Sequence, residues 1–501
     1  MENRHSQSME SFFDREQLKK NLKRKVVQSA LSKLTANGIV TALTMGSTIV
    51  LARLLTPAEF GLLAMVTAIT EFMRSFREIG LGSATVQREK ISHEEISTLF
   101  WINFIAGVAI TAFLVCFSPV IAWFYGDSRL VHLTMVLSMV FFFGGLTVQH
   151  RALLERQMRF GVLGAINVIS TIVSIALAIL LALHGSGVWS LVFRDVVFAV
   201  LYGAGTWLAC RWVPGRPRAI GQVRASLRFG ADVSGFEIIQ YFARSLDQVI
   251  IGRLCGPASL GLYTKALQLA MMPVEQIRMI FWDIGFSPLS SLRTDHERFK
   301  RFYGRLLSVM AFIYMPMAVF IAIESEELVR IVLGEQWRGA APLLRIFAVA
   351  SMVRPMLGTF QLVMTSCADT RRCLLWGMVN SIGMIVAFAT GINWGAVGVA
   401  CGYALASYAS VIWSFYYCFR YTPIKPTLVV KAVSVPAFCS LAGGGVLIAL
   451  LPYMPSTSAF ASIGFSIIVI SFAYLGLLLS VPSGRENLRE FWSYRKELFS
   501  R

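Results

Sequence analysis

Charged residues are scarce in this 501-residue chain, at 15% of the sequence, whereas 56% of the residues are hydrophobic. A soluble globular chain carries roughly 25% charged residues. Because one water-soluble core cannot bury so much apolar surface, the composition excludes an ordinary soluble protein. The long segments are apolar throughout and do not alternate with polar residues, which excludes a β-barrel. The predicted fold class is therefore all-α, a polytopic membrane protein.

The sequence also lacks the residue patterns of metal sites and catalytic centres. Its eight cysteines form no CxxC pair and its six histidines form no cluster, so we expect no disulfide framework, metal site or cofactor. The motifs GxSxG, HExxH, GxxxxGK[ST] and GxGxxG are absent in a supporting context. We therefore expect no catalytic residues and no enzyme activity. Without a phosphate-binding loop, the chain would draw energy from an ion gradient or from a partner.

Acidic residues are the minority charge, with 28 Asp and Glu against 46 Lys and Arg. A net charge of +18 on a soluble protein would suggest nucleic acid, but cytoplasmic loops of membrane proteins also collect Lys and Arg. With the N-terminus inside, 35 basic residues fall in cytoplasmic segments and five in outer loops. This asymmetry favours membrane topology over nucleic-acid binding. It predicts that both termini lie in the cytoplasm, with no cleavable signal peptide.

Apolar runs long enough to cross a membrane, about 20 residues each, predict about 14 transmembrane helices. The predicted spans are 36–55, 60–79, 98–124, 130–150, 160–183, 187–210, 229–252, 258–284, 303–323, 341–366, 373–391, 395–419, 428–451 and 459–481.

One phrase occurs twice, 200 residues apart. Residues 51–63 read LARLLTPAEFGLL and residues 251–263 read IGRLCGPASLGLY, with six identities in thirteen positions. Chance would give about one. Both copies fall at the outer end of a predicted span, with six spans between them, which indicates a parallel repeat about an axis along the membrane normal. The glycine four residues after each proline would permit close helix approach.

Weaker echoes pair GVWSLV at 187–192 with GAVGVA at 395–400, and RWVPGRP at 211–217 with RYTPIKP at 420–426. The repeat predicts two homologous six-helix lobes followed by two further helices. The predicted segments are a basic cytoplasmic lead-in at 1–35, the lobes at 36–218 and 219–425, the additional pair at 426–483 and a cytoplasmic tail at 484–501.

Ionisable residues inside the predicted spans are the candidates for a functional site, because each costs about 2.5–3.5 kcal/mol at mid-bilayer. Two lobes with a cleft between them suggest a transporter that rocks to expose the cleft to each side. The candidate substrate-binding residues are Arg244, Arg354, Arg194 and Arg278, and the ion-coupling candidates are Asp232, Glu237 and Asp247. Span two also carries Glu71 and Arg74.

Two of these candidates have specific local expectations. Arg354 precedes Pro355, which predicts a kink in span ten. Arg194 and Asp195 are adjacent, so we expect each to pair with another helix and not with the other. The planar guanidinium suits phosphate and carboxylate groups, which favours an anionic cargo.

The duplicated phrase, REIGLGSATVQRE at 77–89, RSLDQVIIGRLCGPASLGLYTKALQL at 244–269 and the TSCADTRRC turn at 365–373 resemble a known family. They are similar to the polysaccharide transporters of the multidrug/oligosaccharidyl-lipid/polysaccharide exporter superfamily. The resemblance covers roughly residues 35 to 425, and the last two spans match no motif of that family.

The resemblance implies a flippase that moves undecaprenyl-pyrophosphate-linked oligosaccharide repeat units from the cytoplasmic to the periplasmic leaflet of the bacterial inner membrane, for export of a surface polysaccharide. It also implies a cationic central cavity, which Arg244 and Arg354 would supply. The expected partners are the lipid-linked oligosaccharide and membrane lipid, with a polysaccharide polymerase and co-polymerase as candidates, and not nucleic acid.

Three alternatives stay open from the sequence. A multidrug or cation antiporter of the same superfamily would use acidic cavity residues such as Asp232 and Glu237. A peptidoglycan lipid-precursor flippase would share the mechanism and differ in the head group. A membrane polymerase or ligase would need a large outer loop, and the longest predicted one, at about 324–340, is short.

Overall fold

A computed structural model describes residues 22–77, 82, 85–86, 91–217, 220–367, 370–420, 422–453, 459–482 and 484–485. Within these ranges the backbone alone is described at 22–30, 75–77, 220–244, 370 and 419. All regular elements in the described ranges are helices, which confirms the all-α prediction.

Six long helices build the first part of the chain. They are α1 (Leu22–Leu54), α2 (Pro57–Arg77), α3 (His93–Tyr125), α4 (Arg129–Arg156), α5 (Phe160–Leu183) and α6 (Val188–Cys210). Local signals set their ends. Ser92 and Glu95 form a reciprocal capping box at the start of α3, and Gly126 ends that helix in a left-handed conformation.

The remainder begins with α7 (Ile220–Ser291), which contains a break at Gly256, where φ is +80°. The helices that follow are α8 (His296–Ile323), α9 (Ser325–Val332), a 3₁₀ turn (Glu335–Ala340), α10 (Ala341–Ser351), α11 (Arg354–Ser366), α12 (Thr370–Gly391), α13 (Gly395–Phe419), α14 (Pro426–Leu450) and α15 (Ala459–Ser480).

Each of the predicted spans coincides with helix where the structure describes it. Spans seven and eight are the two parts of α7, and span ten divides into α10 and α11 just before Pro355, which confirms the predicted kink. Ten segments of the described residues are long and apolar enough to cross a membrane. Fourteen crossings stay a prediction, because α12 and α13 count as one of these ten segments and neither α2 nor α7 is among them.

By its contacts the chain divides into two compact units, residues 1–261 and 262–501. In the first unit, an aromatic core around Phe100 and Trp212 lies where α3, α4 and the end of α6 meet. In the second unit, a core lies among α8, α11, α13 and α14. The lobes predicted at 36–218 and 219–425 stay a prediction, since a division by contacts does not test a repeat.

The segment after α6, residues 211–217, is irregular and tied to the first unit. Trp212 is 1% exposed, and its Nε1 donates to Nδ1 of His93 at 3.1 Å. The backbone nitrogen of Gly215 donates to Oγ of Ser97 at 2.9 Å. Because these contacts fix the segment on α3, the chain leaves the first six helices in a defined position.

The two copies of the repeated phrase contact each other within the first unit. A Cβ on Gly61 would overlap the carbonyl oxygen of Pro257, and a Cβ on Gly261 would overlap the carbonyl oxygen of Pro57. The relation is reciprocal, so each copy supplies one glycine and one proline carbonyl. The predicted close helix approach is confirmed, and the contact gives a physical reason for glycine and proline at these positions of both copies.

Candidate functional site

The first unit contains an open cavity of about 720 Å³ with a mixed polar and apolar wall, to which all six helices from α1 to α6 contribute. That volume lies within the range of about 300–1,000 Å³ typical of ligand sites. Wall residues recur at helical spacing. On α2 they are Thr67, Thr70, Glu71 and Arg74, an i, i+3, i+4, i+7 pattern, so one polar stripe of the helix faces the cavity.

Charges in the described wall balance. The basic residues are Lys33, Arg74 and Arg151, and the acidic residues are Glu71, Glu155 and Asp195. Each carboxylate has an arginine on its own helix. Arg74 lies 3.1 Å from Glu71, and Arg151 lies 2.8 Å from Glu155. The cavity therefore offers guanidinium groups already oriented by carboxylates, with no net charge among the described wall residues.

Lys33 is the wall cation for which the described residues provide no carboxylate. Its Nζ lies over the ring of Phe160, 5.6 Å from the ring centroid. An exposed ammonium over an aromatic face keeps its charge available to solvent or to a ligand anion.

Uncharged polar side chains complete the wall. They are Asn37, Thr67, Thr70, Asn103, Thr147, Asn167 and Tyr202. The Asn103 amide donates to the Leu99 carbonyl at 2.9 Å, whereas the amides of Asn37 and Asn167 have no hydrogen-bond partner among the described residues. Free amides carry both donors and acceptors, as do the hydroxyl groups of a sugar, so the two can pair fully.

Aromatic rings also belong to this wall. Phe198 and Tyr202 are stacked along α6 with ring centroids 5.7 Å apart, and both belong to the wall. Two helices approach closely here, since a Cβ on Gly164 would lie 2.8 Å from Cβ of Ala36. Amides and aromatic faces together suit a hydroxyl-rich ligand with apolar ring faces.

The predicted site residues lie in different places, and the cavity of the first unit is not the predicted cleft between lobes. Arg194 is half-buried in α6, and its Nε donates to Oδ1 of Asp195 at 2.9 Å. The expectation that these adjacent residues could not pair is wrong, because the long arginine side chain folds back along the helix. Asp195 lines the cavity and Arg194 does not.

Arg354 and Arg278 belong to the second unit. Arg354 begins α11 with its guanidinium 5.2 Å from the ring centroid of Tyr403, and no described residue ion-pairs with it. Arg278 donates to Glu275 at 2.6 Å, and its aliphatic stem packs over Gly358. Both arginines stay predictions as substrate ligands.

The remaining candidates lie in α7. Arg244, Asp232 and Glu237 are at positions where the backbone alone is described, so their side chains lie outside the described structure. Asp247 is 2% exposed, and its Oδ1 accepts from the backbone nitrogen of Gln248 at 2.8 Å. Its role in ion coupling stays a prediction.

A family model described as polysaccharide biosynthesis protein matches residues 50–342, more than half of the chain. The chain belongs to this family. Among its relatives, WzxC, a lipopolysaccharide biosynthesis protein of Escherichia coli (strain K12), is 25% identical over 81% of this chain and 82% of its own length. The succinoglycan biosynthesis transport protein ExoT of Rhizobium meliloti (strain 1021) is 25% identical over 74% of each chain.

Teichuronic acid biosynthesis protein TuaB of Bacillus subtilis (strain 168) is 23% identical over 74% of this chain and 79% of its own length. Among solved structures, lipid II flippase MurJ in an inward closed conformation superposes with a TM-score of 0.73 and 13% identity, covering 89% of this chain and 97% of MurJ. An inward-facing multidrug resistance transporter of the MATE family gives 0.58 and 13% identity, covering 78% and 98%. At these identities the structures show the fold alone. The family model and the named relatives confirm the family that the sequence resemblance indicated.

Sequence reasoning about this family member missed much of the wall. Lys33, Asn37, Arg151, Glu155 and Asn167 were not candidates, because the search favoured charges deep in predicted spans. A signal was present, since Thr147, Arg151 and Glu155 follow one another at four-residue spacing on α4. Only packing decides that this stripe faces a cavity and not a neighbouring helix.

Proposed function

We propose that this protein flips undecaprenyl-pyrophosphate-linked oligosaccharide repeat units from the cytoplasmic to the periplasmic leaflet of a bacterial inner membrane, by alternating access. The observation that carries the proposal is the open cavity of the first unit, whose wall combines free amides, oriented guanidinium groups and aromatic rings in a membrane helix bundle. The product would serve export of a surface polysaccharide, with a polymerase and co-polymerase acting downstream.

Polar side chains of the cavity would replace the hydrogen bonds that water makes to the head group. A sugar chain with a pyrophosphate cannot cross about 30 Å of hydrocarbon unaided, because each polar group would lose its hydrogen bonds. Asn37 and Asn167 would replace water at sugar hydroxyls. Lys33 at the cavity wall would attract the pyrophosphate, while the polyprenyl tail stays in lipid.

The names of the relatives and of one solved structure support this function. Relatives are named for lipopolysaccharide, succinoglycan and teichuronic acid biosynthesis, and one of them is named as a transport protein. The MurJ title names a lipid II flippase. A shared fold with a lipid-linked head-group carrier supports the same physical task here, and a peptidoglycan lipid precursor is the competing cargo.

The main alternative is a cation antiporter, which the likeness to MATE transporters keeps in consideration. A cationic drug needs a carboxylate that it can reach. In the cavity, Glu71, Glu155 and Asp195 are each engaged by an arginine at 2.8–3.1 Å, which lowers their attraction for a cation. The charge pattern of the described wall therefore favours the oligosaccharide.

The test is a deletion strain complemented with variants. Loss of the protein should leave lipid-linked repeat units on the cytoplasmic face of the inner membrane. An impermeant lectin or oxidant applied from the periplasmic side should then react with fewer of these sugars than in the wild type. Asn37→Ala and Asn167→Ala should each lower export by about two- to tenfold, the value of one hydrogen bond. Asn393→Ala is the matched control, because that amide bonds within its own outer turn.

Unchanged export in the double variant Asn37→Ala/Asn167→Ala, at normal protein level, would contradict the role of this cavity. Normal leaflet distribution of repeat units in the deletion strain, together with drug sensitivity, would contradict the flippase itself and favour the antiporter.

A further inference from the structure

A buried carboxylate lies outside the cavity, in the second unit. Glu324 directly follows α8 and precedes α9, and it is 3% exposed. Its Oε1 accepts a hydrogen bond from Oγ of Ser466 at 2.8 Å. Ser466 is fully buried two turns into α15, one of the two helices that match no family motif. One acidic side chain thus joins the end of α8 to the last described helix.

The charged neighbours of Glu324 are engaged elsewhere. On α9, Glu327 pairs with Arg330. On α10, Arg345 reaches Glu326 at 3.5 Å. Among the described residues no cation lies within ion-pair distance of Glu324, and Glu326 and Glu327 add like charge to the same short helix.

Hydrogen bonding does not compensate the charge either. The hydroxyl of Ser325, next in the chain, is buried and bonds to no described residue, so it does not donate to Glu324. The described structure therefore gives the carboxyl one hydroxyl donor. A buried ionised carboxylate with so little support is costly, and such a group binds a proton instead.

The ionisation behaviour agrees with this geometry. Burial raises the pKa of the Glu324 carboxyl, the nearby Glu327 raises it further, and the hydrogen bond from Ser466 opposes the rise. Glu324 lies between α8 and α9, outside the segments apolar enough to span the membrane.

We propose that Glu324 is a proton-binding site that fastens α15 to the end of α8. The neutral carboxyl tolerates burial between the end of α8 and α15. Ionisation loosens the first turns of α15, because the cost of burying the charge exceeds the gain at the Ser466 hydrogen bond. This inference does not depend on the cargo of the flippase. In the predicted topology Glu324 lies at the outer end of span nine, so the proton would come from the periplasmic side.

The sign of the effect follows from linkage. The seated state has the higher pKa and binds the proton more tightly than a state in which Glu324 meets water. The seated state is therefore favoured at low pH, and it loses stability as pH rises above the ordinary glutamate pKa of about 4.3. Between the two pKa values, the opening constant of the first turns of α15 should rise about tenfold per pH unit.

Hydrogen exchange of the full-length protein in lipid nanodiscs tests the coupling, with rates at pH 5.5 to 8.5 corrected for intrinsic exchange. In the wild type, protection of residues 459–470 should fall as pH rises, whereas protection of α3 should not. Glu324→Gln keeps an acceptor for Ser466 and carries no charge, so protection should be high and independent of pH. Glu326→Gln, at an exposed neighbouring carboxylate, is the matched control and should retain the wild-type pH dependence.

Infrared difference spectroscopy of the same samples observes the proton itself. A protonated carboxyl band that persists to higher pH in the wild type than in Glu324→Gln would support the site, whichever cargo the protein moves. The inference is overturned if wild type and Glu324→Gln have the same carboxyl bands from pH 5 to 9. It is also overturned if protection of α15 in the wild type does not change with pH.

Discussion

The carboxylate of Glu59 lies against the backbone of Gly187, where the turn before α6 meets the turn before α2. Oε2 of Glu59 accepts from the backbone nitrogen of Thr56 at 2.6 Å and from its hydroxyl at 3.0 Å, which caps α2. A Cβ on Gly187, whose φ is +56°, would overlap Oε1 of Glu59. In the second copy, Ser259 replaces Glu59, and Gly395, with φ +68°, has open space around it. The two repeats thus share a glycine turn, but only the turn at Gly187 has a glutamate side chain packed against it.

This difference predicts unequal costs for matched substitutions. Gly187→Ala and Gly395→Ala both force a side chain into a conformation that costs about 1–2 kcal/mol. Gly187→Ala also displaces the cap of α2, which is worth a further ~1 kcal/mol. Thermal unfolding in detergent should show the larger loss for Gly187→Ala, with Gly38→Ala as a control in an open helical position. Equal losses would mean that Glu59 does not support this turn.

The contact between the repeated phrases predicts a severe effect of one methyl group. In Gly61→Ala the new Cβ meets a backbone carbonyl, which no rotamer change can relieve, so we expect a loss of about 1–3 kcal/mol or more. Gly46→Ala, where nothing lies within 4 Å, should be neutral.

The reciprocity of that contact is tested by a double variant. Gly261→Ala should cost about as much as Gly61→Ala, and the two together should cost less than their sum, because the first substitution already separates the helices. Purely additive unfolding free energies would contradict a shared contact.

The segment at 211–217 gives a graded prediction. Trp212→Phe keeps an aromatic ring in the core but loses the hydrogen bond to His93 and part of the buried indole volume, so we expect a loss of about 1–3 kcal/mol. Trp212→Ala removes a fully packed indole and should cost about 3–5 kcal/mol. Denaturant or thermal unfolding checks the order, and an Ala variant as stable as the Phe variant would show that the segment is not anchored there.

Arg354 and Arg244 test the predicted pyrophosphate site in the second unit and in α7. Loss of a charged hydrogen bond to the cargo should lower export at least tenfold in Arg354→Ala and in Arg244→Ala. Arg354→Lys should recover part of the activity, since the ammonium can still lie over Tyr403. Arg338→Ala, at an exposed outer position, is the control.

If Arg354→Ala and Arg244→Ala both retain full polysaccharide export at normal protein levels, the assignment of these arginines is wrong. That result would favour the cavity of the first unit as the site that binds the head group.

Much of the fold could be predicted because its signals are local. Apolar runs mark helices, the interval between spans seven and eight contains the break within α7, and Pro355 marks the division between α10 and α11. The site was harder. Arg194 stands out in a sequence as a charge in an apolar span, yet it is satisfied by the adjacent Asp195, whereas the unpartnered Asn167 looks ordinary.

The sequence by itself determined the class of this protein, its helices and its repeat, because hydrophobic length and helix-ending residues act over a few turns. It could not decide which helix faces surround water, because that depends on side chains brought together from α1 to α6. Only the tertiary structure revealed that the duplicated glycines touch each other's backbones, and that Glu324 meets Ser466 across 142 positions. Both are contacts between distant segments, where close packing and burial set the energy and no local pattern records it.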